Sequence, residues 1–262
     1  MSEDNLRGAR VLVTRPAHQA EALAQLIESA GGVALRLPTV EIAAPADPAA
    51  LDAVLDRLHE FAFAIFISPN AVIQAAPHLR ARGGIPAALQ LAAVGQGTRR
   101  ALQEAGFDKV LAPEERFDTE SLLELLPSTR VAGKNILIVR GAGGREQLAE
   151  SLTARGAHLS HAVCYQRTPP RAPDAAILAR LRHGDVDVLT ITGLGGLRNL
   201  YDLLGESGRA PLLATPLLVV SERQAQAARD LGFHAELRVA AQASDAAILA
   251  ALLAWRAARN SI

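Results

Sequence analysis

Short apolar runs alternate along this chain with longer stretches in which apolar residues recur at helical spacing. That pattern predicts an α/β protein whose parallel strands are covered on both faces by helices. The clearest strands are "VLVTRP" at 11–16 and "ILIVRG" at 136–141, each ending at an arginine followed by a breaker. Helix starts are marked by capping residues: Asp118 or Thr119 before "ESLLELL", and Ser244 or Asp245 before "AAILAALLAW".

The pattern is written twice. Arg15 matches Arg140 and Gly31 matches Gly156, each 125 apart; Ser68 matches Thr192 at 124; Phe107 matches Phe233 and Asp118 matches Ser244 at 126. Matching segments in one order at a nearly constant offset mean two similar lobes. The first unit of each copy leads into an extended, proline-closed stretch, "LRLPTVEIAAP" and "AVCYQRTPP". These can pair as a two-stranded connector over 38–45 and 163–170. One lobe is then 46–162, and a discontinuous one is 1–37 plus 171–262. Two consecutive domains satisfy the pattern equally well.

Composition narrows the partners. Of 262 residues half are apolar, enough for a substantial core. The 27 basic and 27 acidic residues balance, so nothing draws the chain generally to nucleic acid or a membrane surface, and any anion site must be local. Only Lys109 and Lys134 are lysines; the other 25 cations are arginines, suited to bidentate grip on carboxylates. The opening MSEDNLRGAR lacks a signal-peptide core, and no apolar run approaches the ~18 residues of a membrane span. A single cysteine, Cys164, excludes an internal disulfide and points to the cytoplasm. His158, His161 and Cys164 suggest a metal site only briefly, because a spacing of three on extended chain sends neighbours to opposite faces. No metal is expected.

The glycines after "ILIVR" invite a nucleotide reading that their spacing refuses. Counting from Gly141 and Gly143, the third glycine of a dinucleotide fingerprint falls on Glu146, and no Lys-Ser or Lys-Thr pair follows for a Walker loop. The turn from Gly141 to Arg145 suits an anion, but not a nucleotide. In open α/β sheets ligands gather at the carboxyl ends of strands, which singles out Arg15, Ser68, Gly95, Arg140, Thr192 and Ser221.

Taken in order, "VLVTRP", "FISPNAV" at 66–72, "AVGQGTRRAL" at 93–102, "FDTESLLELL", "ILIVRGAGGR" and "YQR" at 165–167 resemble the uroporphyrinogen-III synthase family over almost the whole chain. The resemblance implies two flavodoxin-like or Rossmann-like lobes, each interrupted by the other and joined by a β-ladder, with the active cleft between them. It implies an enzyme of heme biosynthesis that removes the terminal hydroxyl of hydroxymethylbilane as water and closes this linear tetrapyrrole with inversion of ring D. No metal or organic cofactor is implied, and a monomer is expected.

Residue by residue, Tyr165 matches the family's cleft tyrosine and is the expected acid or hydrogen-bond donor. Ser68, Asn70, Gly95 and Thr98 match turns that hold carboxylates, although such residues also cap helices routinely. Arg15, Arg140 and Arg145 are expected cations for the substrate, with ion pairing or solvent exposure as the alternative, and Gly141 is an expected backbone donor. In the second copy Thr192 and Gly193 stand in the Ser-Pro place, and "VVSERQA" replaces "AVGQGTR", leaving Ser221 and its neighbouring amides. A binding protein that closes on a polyanion without chemistry remains a rival.

Overall fold

The computed structural model describes residues 5–114, 118–144 and 146–259. In chain order the strands are β1 (Arg10–Val13), β2 (Val33–Arg36), β3 (Glu41–Ala43), β4 (Phe63–Phe66), β5 (Gln90–Ala93), β6 (Val110–Leu111), β7 (Asn135–Gly141), β8 (His158–Thr168), β9 (Val188–Ile191), β10 (Leu217–Val219) and β11 (Leu237–Val239). Helices separate most of them, as the apolar periodicity requires. The chain divides into two compact units: residues up to Glu41 with those from Thr168 onward, and Ile42–Arg167.

The first unit holds a five-stranded sheet in the order β11-β10-β9-β1-β2 with every pairing parallel. The second holds a six-stranded sheet, β3-β8-β7-β4-β5-β6, whose last five strands are also parallel. Setting β7, β8, β4, β5 and β6 against β1, β2, β9, β10 and β11 makes the two orders identical. Each sheet therefore takes its leading strand pair from one sequence copy and its other three from the opposite copy. The second unit is a permuted version of the first because, of these five strands, the chain forms β4 first rather than β7.

Parallel strands covered on both faces should be apolar throughout. All four residues of β4 and of β9 are buried, and six of seven in β7. Alternation still sorts them to two faces. In Ile42–Arg167, Ala64, Phe66, Leu137 and Val139 join one core layer, with Leu51 and Leu79 from the helices, whereas Phe63, Ile65, Ile136 and Ile138 join the other with Leu122 and Leu152. The other unit repeats this: Leu12, Leu189 and Val219 face one layer, Val11, Val13 and Val188 the other.

One break in the alternation shapes the site. Along β7 and β8 the register runs from Asn135↔His158 to Arg140↔Val163 and then jumps to Gly141↔Tyr165, leaving Cys164 as an extra residue. This bulge re-aims the strand, so that Ala162, Cys164 and Tyr165 all pack into the same core layer. The Cys164 sulfur lies 3.3 Å from the Arg140 carbonyl oxygen and 3.5 Å from that of Ala71, either of which can accept its one S–H. Burial pushes its pKa up to about 12 from an ordinary value of 9.0. The folded protein then keeps the thiol protonated where the unfolded chain ionises. Its contribution to stability is whole below the unfolded pKa and is lost as pH rises towards about 12, at ~1.4 kcal/mol per pH unit. Denaturant titrations at pH 8 and pH 10.5 should show a larger loss for the wild type than for Cys164→Ala; parallel losses would refute the assignment.

Candidate functional site

In the Ile42–Arg167 unit the chain moves outward from β4 to β5 and β6 on one side and from β7 to β8 on the other. The order reverses between β7 and β4, the switch point where an open sheet leaves room for a ligand beyond its strand ends. Ser68 follows β4 there. Its backbone is extended (φ −160°, ψ 158°), Pro69 opens the helix Pro69–Ala81, and its Oγ accepts the Ala71 N–H at 3.1 Å. Ser68 is thus an N-cap, and it is more than that, because the same Oγ lies 3.1 Å from the Tyr165 hydroxyl.

Tyr165 is 1% exposed. Its ring lies over the end of β7 because Gly141 has no side chain: a Cβ there would stand 2.4 Å from the phenol Cζ and 2.6 Å from Cε2. The Ala142 N–H donates to the Tyr165 carbonyl at 2.7 Å, tying the bulged strand to the turn. Arg167 reaches back so that Nη2 donates to the Tyr165 hydroxyl at 3.0 Å, with its guanidinium carbon 5.4 Å from the ring centroid.

Sequence reasoning singled out Gly141 as a backbone donor; the structure gives its missing side chain a second use, as the space the phenol occupies. Arg167 and the bulge at Cys164 were missed. The available signal for Arg167 was the "YQR" triplet, whereas nothing in the sequence marks the bulge.

Arg140 is 6% exposed, and its guanidinium is spent inside the following turn. It pairs with Glu146 at 2.9 Å, donates to the Gly143 carbonyl at 2.6 Å and, through Nε, to the Gly141 carbonyl at 3.4 Å. Glu146, which spoils the nucleotide fingerprint, holds this arginine at the start of the helix Gln147–Ala154. The turn's Ala142, Gly143 and Gly144 stay exposed, the two glycines at φ +70° and +111°. Arg145 lies outside the described residues. After β5, Gly95 (φ −141°, ψ 163°) precedes the helix Gln96–Glu104 without a side-chain cap, leaving backbone N–H groups of the first turn unused by the helix. Thr98, in that turn, is 3% exposed, and Asn70 is 7% exposed in its own helix. Neither side chain lies open at the strand ends, whereas Gln96 and Gly97 do.

The other unit presents the same positions differently. Arg15 pairs with Asp245. Thr192 and Gly193 are half-buried, and Gly193 opens the helix Leu194–Leu213 in extended conformation (φ −155°, ψ 141°). Ser221 caps the helix Glu222–Asp230 by accepting the Gln224 N–H at 3.4 Å, while the Gln224 side chain accepts the Val220 N–H at 3.0 Å. At the β1–β9 switch point, Thr14 donates to the Thr190 carbonyl at 2.8 Å and Thr190 to the Leu12 carbonyl at 2.9 Å. These hydroxyls stitch the two strands together.

Among the described residues no cluster of His, Cys, Asp and Glu could hold a metal ion, and no helix is long and apolar enough to cross a membrane. His161 pairs in register with Ile138, and desolvation, then the nearby Arg140 charge, lower its pKa.

Comparison with known proteins places these features in context. The family described as "Uroporphyrinogen-III synthase HemD" matches residues 21–250. The uroporphyrinogen-III synthase of Salmonella typhimurium is 38% identical over 92% of this chain and 99% of its own length. That of Escherichia coli is 35% identical over 92% and 99%. The crystal structure of a mutant uroporphyrinogen III synthase from Thermus thermophilus superposes with a TM-score of 0.63 at 21% identity, over 97% of this chain and 100% of that one, and so shares the fold.

Proposed function

The chain belongs to the uroporphyrinogen-III synthase family, and from that premise we propose that it dehydrates hydroxymethylbilane and closes it, with ring D inverted, to uroporphyrinogen III in heme biosynthesis. The observation that carries the reading to named residues is the phenol of Tyr165, hydrogen-bonded to Ser68 at the β7–β4 switch point.

Loss of the hydroxyl leaves a delocalised azafulvene cation. The reaction therefore needs a proton for the departing oxygen and protection from water that would recapture the cation. Tyr165 is the proton source. The open chain also closes unaided without inversion, so the enzyme's larger task is to hold the one conformation in which the substituted carbon of ring D attacks to form a spiro intermediate.

The substrate carries an acetate and a propionate on each ring, and spread carboxylates suit many modest donors. In Ile42–Arg167 these are the amides at Gly95–Gly97 and at the exposed turn after Gly141, with Ser68; Arg145, outside the described residues, is a further candidate from its place in the sequence. Arg140 braces the turn after Gly141 through Glu146 and the Gly143 carbonyl, and Asn70 and Thr98 stand buried in the first turns of the helices that follow β4 and β5. In the other unit Arg15, Thr192, Gly193 and Ser221 provide donors of the same type. The enzyme works as a cytoplasmic monomer without metal or organic cofactor.

The test is product identity. Purified protein given enzymatically generated hydroxymethylbilane should yield, after oxidation, the type III porphyrin isomer. Type I alone, the product of unassisted closure, would leave at most a polyanion-binding protein.

A further inference from the structure

We infer that the proton reaches the leaving hydroxyl through Ser68 rather than directly from Tyr165, and that Arg167 sets the direction of this relay. The inference rests on the reading of Tyr165 as proton source and adds the path.

The direction follows from counting donors. A guanidinium has only N–H donors and no acceptor, so in the 3.0 Å contact the Tyr165 oxygen accepts from Arg167. The phenol's own hydrogen then needs a partner, because a donor on a residue 1% exposed is costly to leave unmade. Among the described residues the remaining partner is Ser68 Oγ at 3.1 Å. If Ser68 instead donated to Tyr165, the phenol would receive two hydrogens and have nowhere to place its own.

The chain therefore runs from the Arg167 N–H to the Tyr165 oxygen and from the Tyr165 O–H to Ser68 Oγ, which also accepts the Ala71 N–H. With its acceptor capacity filled, Ser68 directs its own O–H away from both donors. Ser68 is half-buried at the carboxyl end of β4, whereas the phenol is enclosed by Gly141, Ser68 and the core. The hydroxyl that can touch a ligand is the serine's, which makes Ser68 the catalytic contact, Tyr165 the proton reservoir behind it and Arg167 a positioning residue.

The step balances. The carbon–oxygen bond of the hydroxymethyl group breaks with both electrons on oxygen, which takes the Ser68 proton and leaves as water. Tyr165 passes its proton to Ser68 and becomes a phenolate beside the Arg167 guanidinium. Ring closure ends with the macrocycle shedding one proton to recover its aromatic pyrroles, and that proton returns through Ser68 to the phenolate. No outside reactant is needed.

Single-turnover rates should be measured for the wild type, Ser68→Ala, Ser68→Thr, Arg167→Gln, Tyr165→Phe and the double variant Ser68→Ala/Tyr165→Phe, with thermal melts confirming that each is folded. Ser68→Ala should lose ~10²-fold, in the range of general acid catalysis, and Ser68→Thr, which keeps both cap and hydroxyl, should recover to within about fivefold of wild type. Groups acting in series are not additive, so the double variant should lie within about threefold of the worse single one. Arg167→Gln should lower kcat about tenfold with KM held, because it turns the proton rather than binding substrate. In mixed light and heavy water the wild-type rate should bow below a straight line, the mark of two protons moving together.

A double variant at the product of the two single losses, a linear or absent isotope response, or a fully active Ser68→Ala would overturn the relay. If Tyr165→Phe were impaired in those cases, the phenol would act directly and the broader reading would stand. An unimpaired Tyr165→Phe would instead remove the proton source itself.

Discussion

Gly141→Ala should abolish most activity while leaving the protein folded. The added methyl would stand 2.4 to 2.9 Å from three carbons of the Tyr165 ring, closer than nonbonded atoms approach. Tyr165 is buried in the same core layer as Phe66, Val139 and Cys164, where space to shift is scarce. It must tilt or leave. Overpacking of this kind costs ~1–3 kcal/mol, and a shift of even an ångström breaks the 3.1 Å contact to Ser68.

The expected result is a kcat reduced ~10²-fold, with a modest fall in melting temperature. Gly133→Ala is the control. That residue also opens onto β7 at φ +69°, and a side chain there meets nothing within 4 Å. It should lose ~1–2 kcal/mol to backbone strain and keep its turnover. If Gly141→Ala were as active as Gly133→Ala, the space left by that glycine would have no catalytic meaning.

Tyr165→Phe should lower kcat ~10²-fold with KM changed little, because it removes a transferable proton and no volume. As enzymatic closure slows, unassisted closure takes a larger share, so the type I isomer should rise in the product mixture. Stability should change by about 1 kcal/mol, since Ser68 keeps its bond to the Ala71 N–H and Arg167 is exposed to solvent. A loss of less than about tenfold would fall below what general acid catalysis supplies and would withdraw Tyr165 from that role.

The α/β class and its parallel sheets were readable because "VLV", "FAIF" and "ILIV" are apolar without interruption and helical stretches separate them. Asp118 caps its helix by accepting the Ser121 N–H at 2.8 Å, and the Ser244 hydroxyl accepts the Ala247 N–H at 3.3 Å, both among the expected helix starts. The repeat was readable for the same reason: each copy must write its strands, turns and caps in its own stretch of chain.

Less was readable at the site. Arg140 and Arg15 look identical in sequence, each closing the first strand of its copy. One folds into its own turn against Glu146 and the other meets Asp245, 230 residues away. Which polar group a side chain finds depends on what the fold brings beside it, and local pattern does not carry that information.

The linear order of apolar and polar residues was thus enough for the class of fold, the duplication and the positions of the strand ends, because these depend on spacing along the chain. Three things waited for the folded chain. The first is which copy's strands share a sheet, since β1 and β9 or β7 and β4 meet only through long-range pairing. The second is the bulge that sets Tyr165 beside Cys164 in one layer. The third is the line of hydrogen bonds from Arg167 through the phenol to Ser68, which lies 97 residues from Tyr165 along the chain. All three turn on distances in space that the order of residues leaves open until the core has closed.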